Sequence, residues 1–189
     1  LTIMGEQRDS TIVRTEQTAV ILSSDIKLNV ENLTLETEAP DLPIVWQSAG
    51  TLTLKNCLLR GSNVDAIYTS GGSLTLDNCT VTQNHKSGII ARNANLNIIG
   101  SDISHNGING IVALKCQLML NNVQVTDHGI SGVVVDSCEN ILIKNSVFER
   151  DSATAISFQN SSGKIEDITA KANGTGIRVA SGSLEINRA

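Results

Sequence analysis

Aromatic side chains are almost missing from this chain of 189 residues, which has Trp46, Tyr68, Phe148 and Phe158 and no others. A core organised around large rings is excluded, so the interior has to be built from aliphatic side chains packed in a repeating way. Proline occurs only twice, while 15 glycines are spread through the whole length; many short turns are implied and no flexible linker is visible. Nowhere does the i, i+3, i+4 apolar spacing of an amphipathic helix appear. No apolar run approaches the ~20 residues that a bilayer-spanning helix needs, and no charged-then-apolar leader is visible, so no membrane span is expected. Lys and Arg number 14 against 19 Asp and Glu, for a net charge of −5. The basic residues are scattered, which excludes a nucleic-acid partner, since phosphate binding needs clustered positive charge. Cys57, Cys79, Cys116 and Cys138 lack both the C-x-x-C spacing of a zinc site and the density of a disulfide scaffold, and no metal or cofactor is expected.

What is present is a repeat of 22 residues. Residues 51–72 read TLTLKNCLLRGSNVDAIYTSGG, residues 73–94 SLTLDNCTVTQNHKSGIIARNA, residues 95–116 NLNIIGSDISHNGINGIVALKC and residues 117–138 QLMLNNVQVTDHGISGVVVDSC. Glu139 is a one-residue insertion, after which 140–161 resume the register and 162–182 follow one residue shorter. Each unit holds three short alternating pieces, such as Leu74 and Leu76, then Cys79 and Val81, then Ile89 and Ala91. Period-two alternation over so few residues means strands with one buried face. Stacking each unit on the last pairs these strands in parallel at about 4.8 Å, and parallel crossovers are right-handed. The expected fold is all-β, a right-handed parallel β-helix of about eight coils of ~22 residues with three short strands per coil.

The whole of 1–189 is expected to form one domain. Residues 1–50 give looser coils, 51–182 the regular repeats, and 183–189 the start of a further coil, which suggests a fragment of a longer chain. Asn56, Asn78, Asn122, Asn145 and Asp167 recur at the first bend, with Gly100 in the odd coil. Asparagine tolerates left-handed backbone there and can hydrogen-bond down the stack, so an asparagine ladder is expected. The cysteine pairs Cys57–Cys79 and Cys116–Cys138 each fall in the same slot of successive coils, where they stack as free thiols.

These N-x-x, polar loop, G-I-x-V units resemble the repeats of the pectate-lyase-like superfamily, in particular its carbohydrate-binding and sugar-hydrolase coils. The resemblance covers nearly the whole chain. It implies the β-helix fold and a substrate groove along the outer face of the G-I-x-V strand, beside the loop that precedes it. Function stays open, because such coils serve polysaccharide lyases, hydrolases and epimerases, phage tailspikes and non-enzymatic modules.

With Ile67, Ile89, Ile111 and Val133 inward, the next residues Tyr68, Ile90, Val112 and Val134 face out, followed by Ser157 and Arg178. In the two earlier coils, alternation counted from Ile44 and Trp46 as inward positions makes Ile21 and Val45 their outward equivalents. That stripe would run about 25 Å over six rungs, and contiguous exposed apolar surface marks a partner or self-association. A lyase or hydrolase needs paired carboxylates, or a carboxylate–calcium cluster with a base; Asp65 and Asp136 border the stripe in different coils instead. His85, His105 and His128, with Asp127, share the preceding polar loop in three successive coils, which allows a metal or general-base reading. Their register is unequal and no carboxylate repeats alongside, which favours solvent turns. The chain therefore reads as a non-catalytic scaffold or recognition module of a larger, bacterial protein, taking a protein segment or a second copy along Val45, Tyr68, Ile90, Val112 and Val134. The alternative is a polysaccharide-binding or polysaccharide-modifying enzyme, a lyase, hydrolase or epimerase; under either reading the sequence does not distinguish a cytoplasmic from a secreted protein.

Overall fold

The computed structural model describes residues 1–188. Short strands wind into three parallel sheets of nine, eight and eight strands, and each strand inside a sheet bonds to its equivalents in the coils before and after. Sheet one carries the L-x-L strands, for example Ser73–Asp77, Asn95–Ile99 and Gln117–Asn121. Sheet two carries the short strands Thr80–Thr82, Asp102–Ser104 and Gln124–Thr126. Sheet three carries the G-I-x-V strands Ile89–Arg92, Asn109–Leu114 and Ser131–Asp136. Leu52, Leu74, Leu96 and Leu118 lie in one inward column of sheet one, and Leu59, Val81, Ile103 and Val125 in one of sheet two. Such columns fill the interior with buried aliphatics, joined in the later coils by Phe148 and Phe158.

The corners explain why the repeat keeps its length. Each begins with a residue in left-handed backbone conformation: Asn56, Asn78, Gly100, Asn122, Asn145 and Asp167 at the first, Gln83, His105, Asp127 and Arg150 at the second, Asn93, Lys115, Ser137 and Asn160 at the third. The residue after it turns its side chain inward, often a small or polar one that accepts the backbone N–H of the same slot one coil earlier. At the first corner the Cys79 N–H donates to Ser101 Oγ at 3.0 Å and the Val123 N–H to Ser146 Oγ at 3.1 Å. At the third, the Cys116 N–H donates to Cys138 Sγ at 3.2 Å and the Cys138 N–H to Ser161 Oγ at 3.0 Å. All four cysteines are buried and free. The outer asparagine ladder is shorter than expected. Asn78 Nδ2 donates to Asn56 Oδ1 at 3.4 Å and Asn56 Nδ2 to Asn32 Oδ1 at 2.8 Å. Gly100 then interrupts the column, and Asn145 Nδ2 turns to Asn121 Oδ1 instead.

The second corner holds the longest inner ladder. The N–H groups of Ser62, Asn84, Asn106, His128 and Asp151 donate in turn to Asn84 Oδ1, Asn106 Oδ1, His128 Nδ1, Asp151 Oδ1 and Asn173 Oδ1 at 2.8–3.3 Å. His128 is thus buried at 2 % exposure and not a solvent-facing loop residue: it sits one place after the left-handed corner residue, where side chains turn inward. Its Nε2 lies 3.1 Å from the Ile103 carbonyl, so with Nδ1 accepting, Nε2 carries the proton and the ring is neutral. Burial holds its pKa down to about 4.

Two consequences follow from this ladder. A Cβ on Gly110 would lie 2.7 Å from His128 Nε2 and 2.6 Å from the Gly132 carbonyl, and one on Gly132 would lie 2.6 Å from Asp151 Oδ2. The glycine of G-I-x-V is thus dictated by the polar side chain beneath it. Asp151 is the odd rung: its neighbours' outer atoms close on carbonyls, His128 Nε2 on Ile103 and Asn173 Nδ2 on Phe148, whereas Asp151 Oδ2 has no partner. Ile103, Val125 and Phe148 are in register, so the Val125 carbonyl is the acceptor left facing a group that can donate only when protonated. Burial accordingly pushes the Asp151 pKa up to about 7.

Gly110→Ala should lower the unfolding free energy by about 1–3 kcal/mol through overpacking, whereas Gly176→Ala, with nothing within 4 Å of the added Cβ, should leave it unchanged; urea denaturation compares the two. Because the folded-state pKa of Asp151 is raised, the folded protein binds the extra proton, and the stability it confers is complete below about pH 4 and lost as pH rises to about 7. Asp151→Asn restores a permanent donor and should stabilise by up to about 4 kcal/mol at pH 8, converted from the shift at 1.36 kcal/mol per unit, and by nearly nothing at pH 4. Equal gains at both pH values would refute this assignment.

Candidate functional site

Outer face of the third sheet

The outward column of sheet three reads Leu22, Trp46, Tyr68, Ile90, Val112, Val134, Ser157 and Arg178, each in register with the next. Tyr68, Ile90, Val112 and Val134 are partly exposed, and they stand where alternation from the inward isoleucines puts them. Val45 and Ile21 do not. Val45 is fully buried and Ile21 nearly so, both in register with Ile67, and the outward places belong to Trp46 and Leu22. The cause is a doubly enclosed step that recurs at the start of this strand: Ile44 and Val45 are both buried, as are Ala66 and Ile67 one coil later, and the Ile44 carbonyl accepts from both Val20 N–H and Ile21 N–H at 2.8 and 3.0 Å. Counting every second residue from Ile44 therefore slips by one. The 22-residue period itself pairs Trp46 with Tyr68, and that was the signal that outranked alternation here.

The correction places an aromatic pair on the surface. Trp46 is 40 % exposed, and its ring meets Tyr68 edge-on, with centroids 5.7 Å apart and planes at 70°, the geometry that ring quadrupoles favour. Leu22, at 65 % exposure, extends the patch by one coil. The carboxylates beside the column are occupied within the fold. Asp65 Oδ1 accepts the Ser87 N–H at 2.8 Å, and Asp136 Oδ1 accepts from Ser137 Oγ at 3.0 Å and Asn160 Nδ2 at 3.3 Å.

The loop histidines part company. His85 and His105 line one open cleft of about 550 Å³ with Gln83 and Asn63, while His128 is inside the coil. Asp127 is gripped by Arg150, whose Nε and Nη2 reach its two oxygens at 2.7 and 2.8 Å, and this guanidinium keeps its carboxyl below the usual range. His105 Nε2 stands 3.8 Å from the same carboxylate. Arg150 also meets Glu149, which pairs with Lys171 at 2.7 Å, so Asp127 belongs to a surface ion network. Among the described residues no group of three or more His, Cys, Asp or Glu is placed to hold a metal ion. A second network, unread in the sequence, lies on sheet two. There Glu36 is nearly buried between Arg14 and Arg60, with Arg60 Nε at 2.7 Å. Burial raises the pKa of Glu36, and the two guanidiniums outweigh it to give a net lowering.

Comparison with known proteins

No curated protein matches the sequence. Among solved structures, a mutant of the periplasmic alginate epimerase AlgG superposes with a TM-score of 0.69 at 12 % identity, over 88 % of this chain and 45 % of that one. Tailspike protein 2 of an Escherichia coli O157:H7 bacteriophage superposes with a TM-score of 0.56 at 12 % identity, over 85 % of this chain and 25 % of that one. The chain thus spans less than half of either protein, and at this identity the likeness is one of fold. Residues 44–187 match the family described as the right handed beta helix region. With parallel sheets, three-strand coils and a match over most of its length, this chain belongs to the right-handed β-helix family.

Proposed function

We propose that this chain is a non-catalytic recognition module that holds an extended polysaccharide along the outer face of sheet three, with Trp46 and Tyr68 as its stacking platform. The observation that carries the reading is the exposed aromatic pair at one end of a six-rung apolar column. The exposed Trp46 ring and the partly exposed Tyr68 ring offer an amphipathic surface for the apolar faces of sugar rings, with Ser48 beside Trp46. Recognition is favoured over chemistry because Asp65 and Asp136 are committed to backbone and side-chain donors and stand in different coils. The proteins of like fold include an alginate epimerase and a tailspike, which makes an acidic polysaccharide such as alginate the first ligand to try.

The aliphatic part of the column supports a second reading. Ile90, Val112 and Val134 stack in register without a polar residue between them, which suits a protein segment or a second copy of the chain better than a sugar.

Native gels cast with alginate, pectate or a neutral glucan separate the two. Retardation by one polysaccharide that falls about ten-fold or more in Trp46→Ala, the loss expected for an aromatic anchor, supports the polysaccharide reading. Retardation that is unchanged in Trp46→Ala overturns it. If Ile90→Asp with Val112→Asp instead dissolves a dimer seen by sedimentation, the protein reading takes its place.

A further inference from the structure

The one-residue insertion at Glu139 does more than lengthen a coil. In neighbouring coils the strands of sheet one start directly after the inward corner residue, so Asn95 pairs with Gln117. After Cys138 the chain instead bulges through Glu139 and Asn140, and Asn140 has a left-handed φ of 58°. The next strand, Ile141–Lys144, pairs from Leu118 onward and leaves Gln117 with no strand partner on that side. The following coil accommodates the displacement with Gly163, where a Cβ would lie 2.5 Å from Ile141 Cβ. The bulge is exposed and stands over the outer face of sheet one, walling two adjoining clefts of about 380 and 410 Å³ that share Asn95, Gln117 and Asn140.

We infer that this double cleft is a binding site for a neutral oligosaccharide, on a different sheet from the aromatic column and independent of how that column is used. Its lining carries the primary amides Asn93, Asn95, Asn97, Gln117 and Asn140. Each offers two donors and an acceptor in one plane, which matches the mixed donor–acceptor character of neighbouring sugar hydroxyls. Asn97 Oδ1 is buried and has no hydrogen-bond partner within the protein, so the fold leaves one amide acceptor unpaired at the floor of the cleft. Met119, 36 % exposed, gives the floor an apolar patch, the usual mixture of a small-molecule site. Lys115 and Glu139 stand on the rim, one of each sign, so the cleft has no net charge to select an acidic sugar.

Cellohexaose, mannohexaose and chitohexaose, with a hexauronate as the charged counterpart, can be titrated into the ¹⁵N-labelled protein. The expected result is saturable shifts of the side-chain amide signals of Asn97, Gln117 and Asn140 with at least one neutral hexamer. Gln117→Ala, an exposed change that leaves the core intact, should weaken that binding about five-fold, as loss of a hydrogen bond requires. Deleting Glu139, which restores the uninterrupted repeat, should abolish it, and Trp46→Ala should not affect it. Absence of saturable shifts with all three neutral hexamers, binding of the hexauronate alone, or binding unchanged in both Gln117→Ala and the Glu139 deletion would overturn the inference. Should the deletion variant fail to fold, the Gln117→Ala titration decides alone.

Discussion

Backbone N–H groups enclosed at the corners of each coil need acceptors, and the rest of the molecule depends on how they are met. A buried unpaired amide costs about 1–3 kcal/mol, and a solenoid has three corners in every turn. Here the chain repeatedly supplies a side chain from the following coil: hydroxyl or thiol at the first and third corners, amide, imidazole or carboxylate at the second. Such a bond forms only when the acceptor lies one full turn ahead, so it fixes the length of the turn. Parallel strand pairing alone would accept a slip by two residues, whereas the corners do not.

Fixed turn length is what makes columns, and columns are what the surface presents. Because inward and outward places repeat at one spacing, residues far apart in sequence align as Trp46, Tyr68, Ile90 and Val112 do on sheet three. The same rigidity makes any irregularity visible. A single extra residue at Glu139 cannot be spread along the coil, so it is expelled as a bulge over sheet one, and Gly163 yields beneath it. One face of the solenoid is therefore shaped by regularity and another by its interruption.

Much of this was legible in the sequence, since the repeat carries it. The three strands per coil, the parallel pairing, the insertion and the buried thiols follow from spacing and alternation. Sequence and structure part at Val45 and at His128. Alternation from Ile44 puts Val45 outward, whereas period 22 places it with Ile67; Ile44 holds the enclosed slot of Ala66, one place before the inward residue, so alternation counted from it slips by one. His128 reads as a companion of His85 and His105 because all three lie in the same polar loop of successive coils, although its slot is that of Asn84 and Asn106. A histidine in a polar loop reads as solvent-exposed until the slot, and not the residue, is compared between coils. The cleft beside Glu139 has no motif at all, because it is made by displaced backbone and by amides that would pass for ordinary surface.

Amide hydrogen exchange under native conditions tests the corner ladder most directly. If the side-chain acceptors close the coil, the N–H groups of Asn84, Asn106 and His128 exchange as slowly as those of the strand residues Ile89 and Ile111, opening only with global unfolding. Exchange of these three at the rates of unprotected loop amides would contradict the account.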